Sequence, residues 1–172
     1  MGLPVLILGE SGSGKSTSLR NFNKDELVIY NVAGKPLPFR GGVALNRADS
    51  VSYNTIMQNL SKKKFRCYVI DDSQYLLAFE LFGRVAEKTY DKFTEMAVHF
   101  YDLIQFVIRQ MPPDCIVYFL HHTDDIDGKV KAKTVGKMLN EKLTVEGLFS
   151  IVLMAKNLDG RYIFRTHSDG RD

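Results

Sequence analysis

Residues Gly9-Glu10-Ser11-Gly12-Ser13-Gly14-Lys15-Ser16 fill every fixed position of the pattern G-x-x-x-x-G-K-S/T. Leu3-Pro4-Val5-Leu6-Ile7-Leu8 leads into it, apolar and short enough for a buried strand. Ser16-Thr17-Ser18-Leu19-Arg20-Asn21-Phe22 leaves it and can continue as a helix. Strand, glycine-rich loop and helix form the context in which this pattern acts as a phosphate-binding loop. The glycines let the backbone turn tightly and approach an anion with no Cβ in the way. Successive N–H groups then converge on a concavity at a helix N-terminus, where negative charge is favoured. The expected ligand-binding stretch is Gly9, Glu10, Ser11, Gly12, Ser13, Gly14, Lys15, Ser16 and Thr17. Lys15 is expected to reach the terminal phosphates and Ser16 to hold Mg²⁺ through its hydroxyl.

The rest of the chain is read around that loop. Leu27 to Val32 reads as a second strand, followed by a loop over 33–42 with Pro36, Pro38 and Gly41-Gly42. Helical spacing returns weakly over about 50–63. Cys67 to Ile70 is a third strand that ends in Asp71-Asp72. From about Arg84 to Met111, apolar residues at three- and four-residue steps predict a long amphipathic helix, stopped by Pro112-Pro113. A fourth strand over 114–120 ends at His121-His122. Segments 149–154 and 161–166 form a final strand pair joined by an Asp159-Gly160 turn.

Strands alternating with helices predict one α/β domain over 1–172, with a sheet parallel at its centre and a C-terminal antiparallel hairpin. Ligands in such sheets lie outside the carboxyl ends of the strands. That rule places the site rim at Gly9, Asp71 and His121. The N-terminal apolar run stops at Gly9, too early for a signal peptide or a membrane span, so a soluble cytoplasmic protein is expected. Cys67 and Cys115 lie in apolar runs and read as small core residues.

Tyr68-Val69-Ile70-Asp71-Asp72 is an apolar strand that delivers carboxylates at its end. Asp71 suits the Mg²⁺ shell, since a hard cation takes oxygen ligands. Asp72 is placed to polarise an attacking water, with Glu10, Glu80 and Glu87 as other candidate carboxylates. His121 or His122 is placed to sense a terminal phosphate, against the plainer reading of a polar strand end. Lysines recur at 129, 131, 133, 137 and 142. They suit a solvated loop, nucleic-acid phosphates, or a neighbouring subunit's bound nucleotide. The net charge of +3 suggests nucleic acid without showing it.

Several segments recur in this order in one group of proteins. They are Gly9 to Thr17, Ile29-Tyr30-Asn31-Val32, Gly34-Lys35-Pro36-Leu37-Pro38-Phe39, Val69-Ile70-Asp71-Asp72-Ser73, His122-Thr123, Lys133-Thr134-Val135-Gly136-Lys137 and Glu146-Gly147-Leu148-Phe149. In these the chain resembles the phage-encoded RecA-like P-loop ATPases related to Sak-type single-strand annealing proteins. The resemblance implies a RecA-type core, ATP with Mg²⁺, self-association into rings or filaments, and action on single-stranded DNA. A single-strand binding protein or other recombination proteins are the further partners it implies. It gives Lys15 and Ser16 the phosphate and metal roles, Asp71 the metal shell and His122 the sensor position. Lys133 and Lys137 become candidates for a subunit-crossing contact. RecA proteins carry a catalytic glutamate after the second strand, whereas Asn31 to Gly42 contains no acid. The base role then falls to Asp72 or to a partner. The alternatives are a small-molecule or nucleoside kinase on the same loop, and a module that binds ATP without turning it over.

Overall fold

The computed structural model describes residues 1–126, 128–135 and 144–166. Its strands are β1 (Leu3–Leu8), β2 (Leu27–Asn31), β3 (Arg47–Asp49), β4 (Cys67–Asp71), β5 (Ile116–His121), β6 (Thr123–Ile126), β7 (Lys129–Ala132), β8 (Ile151–Leu158) and β9 (Arg161–Arg165). Three α-helices accompany them: α1 (Tyr53–Leu60), α2 (Gln74–Gly83) and α3 (Asp91–Gln110). Seven strands form one sheet in the order β3-β2-β4-β5-β1-β8-β9, and β6 and β7 pair separately as an antiparallel hairpin. The large sheet is parallel throughout except for β9, which returns antiparallel along β8. The α/β class, the parallel centre and the C-terminal antiparallel pair are thus as the sequence predicts. Asp159 and Gly160 both take positive φ, 50° and 80°, as a tight Asp-Gly hairpin turn requires.

The central strands are near-continuous apolar runs because both their faces are covered. On one face Leu6, Leu8, Tyr30, Ile70 and Phe119 pack against Ile56 and Leu60 of α1, Leu77 of α2, and Met96, Phe100, Leu103 and Val107 of α3. On the other, Val5, Ile7, Leu27, Ile29, Val69 and Leu120 meet Leu19, Val43, Phe22, Leu37 and Phe39. Those last residues come from two short 3-10 helices, Ser16–Asn21 and Gly42–Leu45, and from loop. All three α-helices contribute to the first core, so the second face carries a thinner cover. Cys67 and Cys115 are free thiols, with Cys115 buried.

The helical elements depart from expectation in three places. The stretch after the phosphate loop is a six-residue 3-10 helix, Ser16–Asn21, and no α-helix. Ser16, Thr17 and Ser18 are poor helix formers whose hydroxyls compete for the backbone. The Ser18 hydroxyl donates to the Lys15 carbonyl at 2.6 Å. The expected helix over 84–111 begins only at Asp91 and is preceded by the separate helix α2. The lysine-rich stretch after His122 contains the β6–β7 hairpin, with Asp124 opposite Lys131 and Asp125 opposite Val130. Lys131 therefore faces an acid across the ladder, whereas Lys129 lies opposite Ile126. Among the described residues no helix is long and apolar enough to cross a membrane.

Candidate functional site

Because β1, β2, β4 and β5 run parallel, their carboxyl ends open on the same edge of the sheet. A cavity of about 390 Å³ lies there, lined by residues 11–17, Asn31, Lys35 to Pro38, Asp71, Asp72, His122 and Tyr162. The loop is anchored by the Gly9 N–H, which donates to the His121 carbonyl of β5 at 3.2 Å. Gly9 has no room for a side chain: a Cβ there would fall 2.5 Å from Ser13 Oγ and 2.7 Å from the Ala155 carbonyl oxygen. Gly14 sits at φ +92°, and a Cβ would lie 2.7 Å from the Tyr162 ring.

Lys15 is buried, and its ammonium donates to the carbonyls of Gly9 at 2.6 Å and Glu10 at 2.8 Å. Two of its three N–H groups are thereby used inside the loop and one is left over. Burial lowers its pKa to about 8, against the opposing pull of Asp72 and Asp71. Ser13 Oγ is buried with no hydrogen-bond partner. A desolvated ammonium with one N–H to spare, facing the cavity at the strand ends, is suited to an anion. These residues fit a polyphosphate. The fit rests on loop groups and Lys15, since a six-residue 3-10 helix adds little axial dipole.

Ser16 and Asp71 come together: the Ser16 hydroxyl donates to Asp71 Oδ1 at 2.9 Å. Burial, then the neighbouring Asp72 charge, raises the Asp71 pKa to about 6, while the Ser16 bond and Lys15 oppose the rise. A buried carboxylate short of positive charge, beside a hydroxyl, offers the hard oxygen donors that suit Mg²⁺. Among the described residues no group of three or more His, Cys, Asp or Glu is placed to hold a metal alone. A cation here would complete its shell with water and phosphate oxygens, the usual habit of Mg²⁺.

Asp72 occupies the turn from β4 into α2 with φ +59°, a left-handed conformation that aspartate tolerates better than most residues. Its Oδ1 is 3.0 Å from His122 Nε2, and its Oδ2 is 2.7 Å from Lys35 Nζ. Burial pushes its pKa up, but the hydrogen bonds from His122 and Lys35 outweigh that and hold it well below the usual carboxylate range. The same contact raises Lys35.

The two histidines separate. His122 lines the cavity, whereas His121 is fully buried on the helix-bearing face, 5.8 Å from the Phe100 ring. His121 Nε2 lies 2.7 Å from the Lys133 carbonyl and Nδ1 lies 2.8 Å from Ser73 Oγ. A carbonyl only accepts, so Nε2 carries the proton and Nδ1 accepts from the serine hydroxyl. His121 is therefore a staple inside the fold and not part of the rim. Glu10 sends only its carbonyl to Lys15, and its residue borders a depression of about 350 Å³ with Thr123, Met154 and Lys156. Glu80 and Glu87 bind Arg84 and do not line the cavity. The Lys133 backbone is tied to His122, while Lys137 lies outside the described residues.

Sequence reasoning passed over Lys35, Asn31 and Tyr162. Lys35 and Asn31 stand at the carboxyl end of β2, where the same strand-end rule applies. Tyr162 comes from the edge strand and carried no signal. No family model matches this chain, and no curated protein matches it.

Proposed function

We propose that the chain binds ATP with Mg²⁺ at the Gly9–Thr17 loop and hydrolyses it, as an oligomeric RecA-like protein acting on single-stranded DNA in phage recombination or replication. One observation carries the nucleotide part of this reading. Lys15 and the Ser16–Asp71 pair meet around one cavity at the strand ends, walled by the glycine-rich loop. In this reading Lys15 and the loop N–H groups hold the phosphates. Ser16 and Asp71 would hold Mg²⁺, which offsets charge on the phosphate oxygens. A slot of about 220 Å³ between Arg20, Thr17, Tyr162 and Phe164 adjoins the loop at Ser13 and Gly14, and suits a base stacked on an aromatic ring. Asp72 and His122 line the cavity but not that slot, which suits them to reading a terminal phosphate. ATP as the nucleotide, self-association and single-stranded DNA come from the resemblance, with Lys129, opposite Ile126 on the hairpin, as an available cation.

The test is ATP turnover with and without single-stranded DNA, for wild type and Lys15→Ala. DNA-stimulated turnover is expected, reduced about 100-fold or more by the substitution, as for loss of a group that stabilises developing charge. Phosphorylation of a nucleoside with no effect of DNA would overturn the ATPase reading in favour of a kinase.

A further inference from the structure

We infer that Lys35 is a latch on Asp72 that a nucleotide's terminal phosphate releases, so that the site distinguishes triphosphate from diphosphate through this one side chain. The inference rests on the nucleotide reading above and adds a sensing residue to it.

The geometry has three parts. First, both oxygens of Asp72 are engaged, Oδ2 by Lys35 and Oδ1 by His122, and the side chain is only 11% exposed, so Lys35 covers much of what water could reach. Second, the Lys35 backbone is pinned while its side chain is not. Asn31 Nδ2 donates to the Lys35 carbonyl at 2.6 Å and to Asp49 Oδ1 at 2.7 Å, fixing the start of the loop at the end of β2. Gly34 at φ +66° and Pro36 flank that point. The Lys35 side chain remains 55% exposed, with its ammonium 5.2 Å from the Tyr75 ring centre. Third, Lys35 lines the same cavity as Lys15 and Ser16, so one flexible stem lies between the carboxylate and the phosphate space.

A lysine so placed has two anionic partners to choose from. With the phosphate space empty or holding a diphosphate, Asp72 is the near one. A terminal phosphate carries more negative charge than a carboxylate and accepts more hydrogen bonds, so it draws the ammonium across. Asp72 then keeps His122 and regains an open Oδ2, able to accept a hydrogen bond from water. Nucleotide loading thereby exposes the carboxylate that the chain otherwise keeps covered. This also accounts for a lysine standing in a loop that holds no acid.

The test is calorimetric titration of the full chain with MgADP and with the Mg complex of the β,γ-imido analogue of ATP. It uses wild type, Lys35→Met and Lys35→Arg. The side chain is half-exposed, so both variants are expected to fold, as melting curves would register. Wild type is expected to prefer the analogue over ADP. Lys35→Met should hold ADP within about twofold and lose about tenfold or more of the preference, the value of one charge-assisted hydrogen bond. Lys35→Arg should retain most of it. A preference unchanged in Lys35→Met overturns the latch and leaves the nucleotide site standing. Equal weakening of both ligands in that variant assigns Lys35 a structural role and overturns it too. Wild type that binds neither ligand removes the nucleotide site and the latch together.

Discussion

The Ser16 hydroxyl and the Asp71 carboxylate are bonded across 55 residues of sequence, although the strands that deliver them are not neighbours. β5 lies between β1 and β4, so the bond bridges the end of an intervening strand. Its carbonyl at His121 also receives the Gly9 N–H, and the Ser73 N–H donates to the Leu120 carbonyl. The loop and the carboxylate turn are therefore both hung from β5. Three strand ends act as one rigid support for groups whose spacing decides whether a cation fits.

Asp71→Asn tests the cation role of that pair. The amide keeps the volume and can still accept from Ser16, but it carries no charge. The variant is expected to lose about 10- to 100-fold of the affinity that Mg²⁺ adds to ATP binding. Binding in the presence of a chelator should change little. Titrations with and without Mg²⁺ measure both arms, and equal losses in the two would show that Asp71 only supports the loop.

Much of this arrangement is legible in the sequence, for reasons that differ by element. The loop motif spans eight consecutive residues, Gly9 to Ser16, and strands covered on both faces announce themselves as apolar runs at Val5, Ile29, Val69 and Val117. Helix α3 keeps a polar face and so keeps its period. Helix α2 does not: Leu76 and Leu77 are buried, yet Phe79 and Phe82 are exposed, and the helical stripe disappears. Alternation of lysine with Val130 and Ala132 is a strand pattern of period two, which the charge of the segment obscured. Lys35 lies within reach of the strand-end rule, whereas Tyr162 enters the site only because the β8–β9 hairpin pairs with β1. No local pattern encodes such long-range neighbours.

Gly14 and Tyr162 form a second testable contact. Gly14→Ala would bring a methyl to 2.7 Å from the Tyr162 ring at φ +92°. The backbone strain alone is expected to cost about 1–3 kcal/mol of stability. Tyr162→Ala relieves the clash but neither the backbone strain nor the loss of the ring, so the double variant should regain only the clash part of the stability and none of the affinity. If Tyr162 supports the base, Tyr162→Ala alone should weaken nucleotide binding by about 1–3 kcal/mol while Tyr162→Phe stays near wild type. Urea unfolding and calorimetry read the two effects separately, and full affinity in Tyr162→Ala would remove the base slot from the proposal.

His121 predicts how stability changes with acid. Burial first, then the nearby charges of His122 and Lys15, lower its pKa to about 4 from an ordinary 6.5, against the Lys133 carbonyl and Asp72. The unfolded chain therefore takes up a proton near pH 6.5 that the folded chain refuses until about pH 4. Its contribution is fully present above pH 6.5 and is lost as pH falls through that window, by about 3 kcal/mol at most. Asp71 acts in the opposite sense, since its raised pKa lets the folded state bind a proton first. A comparison with His121→Gln cancels that term, because Asp71 is common to both proteins. Glutamine can still donate toward the Lys133 carbonyl and does not titrate. The variant should be less stable at pH 7.5, by about 1 kcal/mol, since the Ser73 hydroxyl exchanges His121 for the Leu120 carbonyl 3.1 Å away, and the gap should close as pH falls toward 4.5. Parallel stability curves across that range would mean that His121 is not held neutral by the fold.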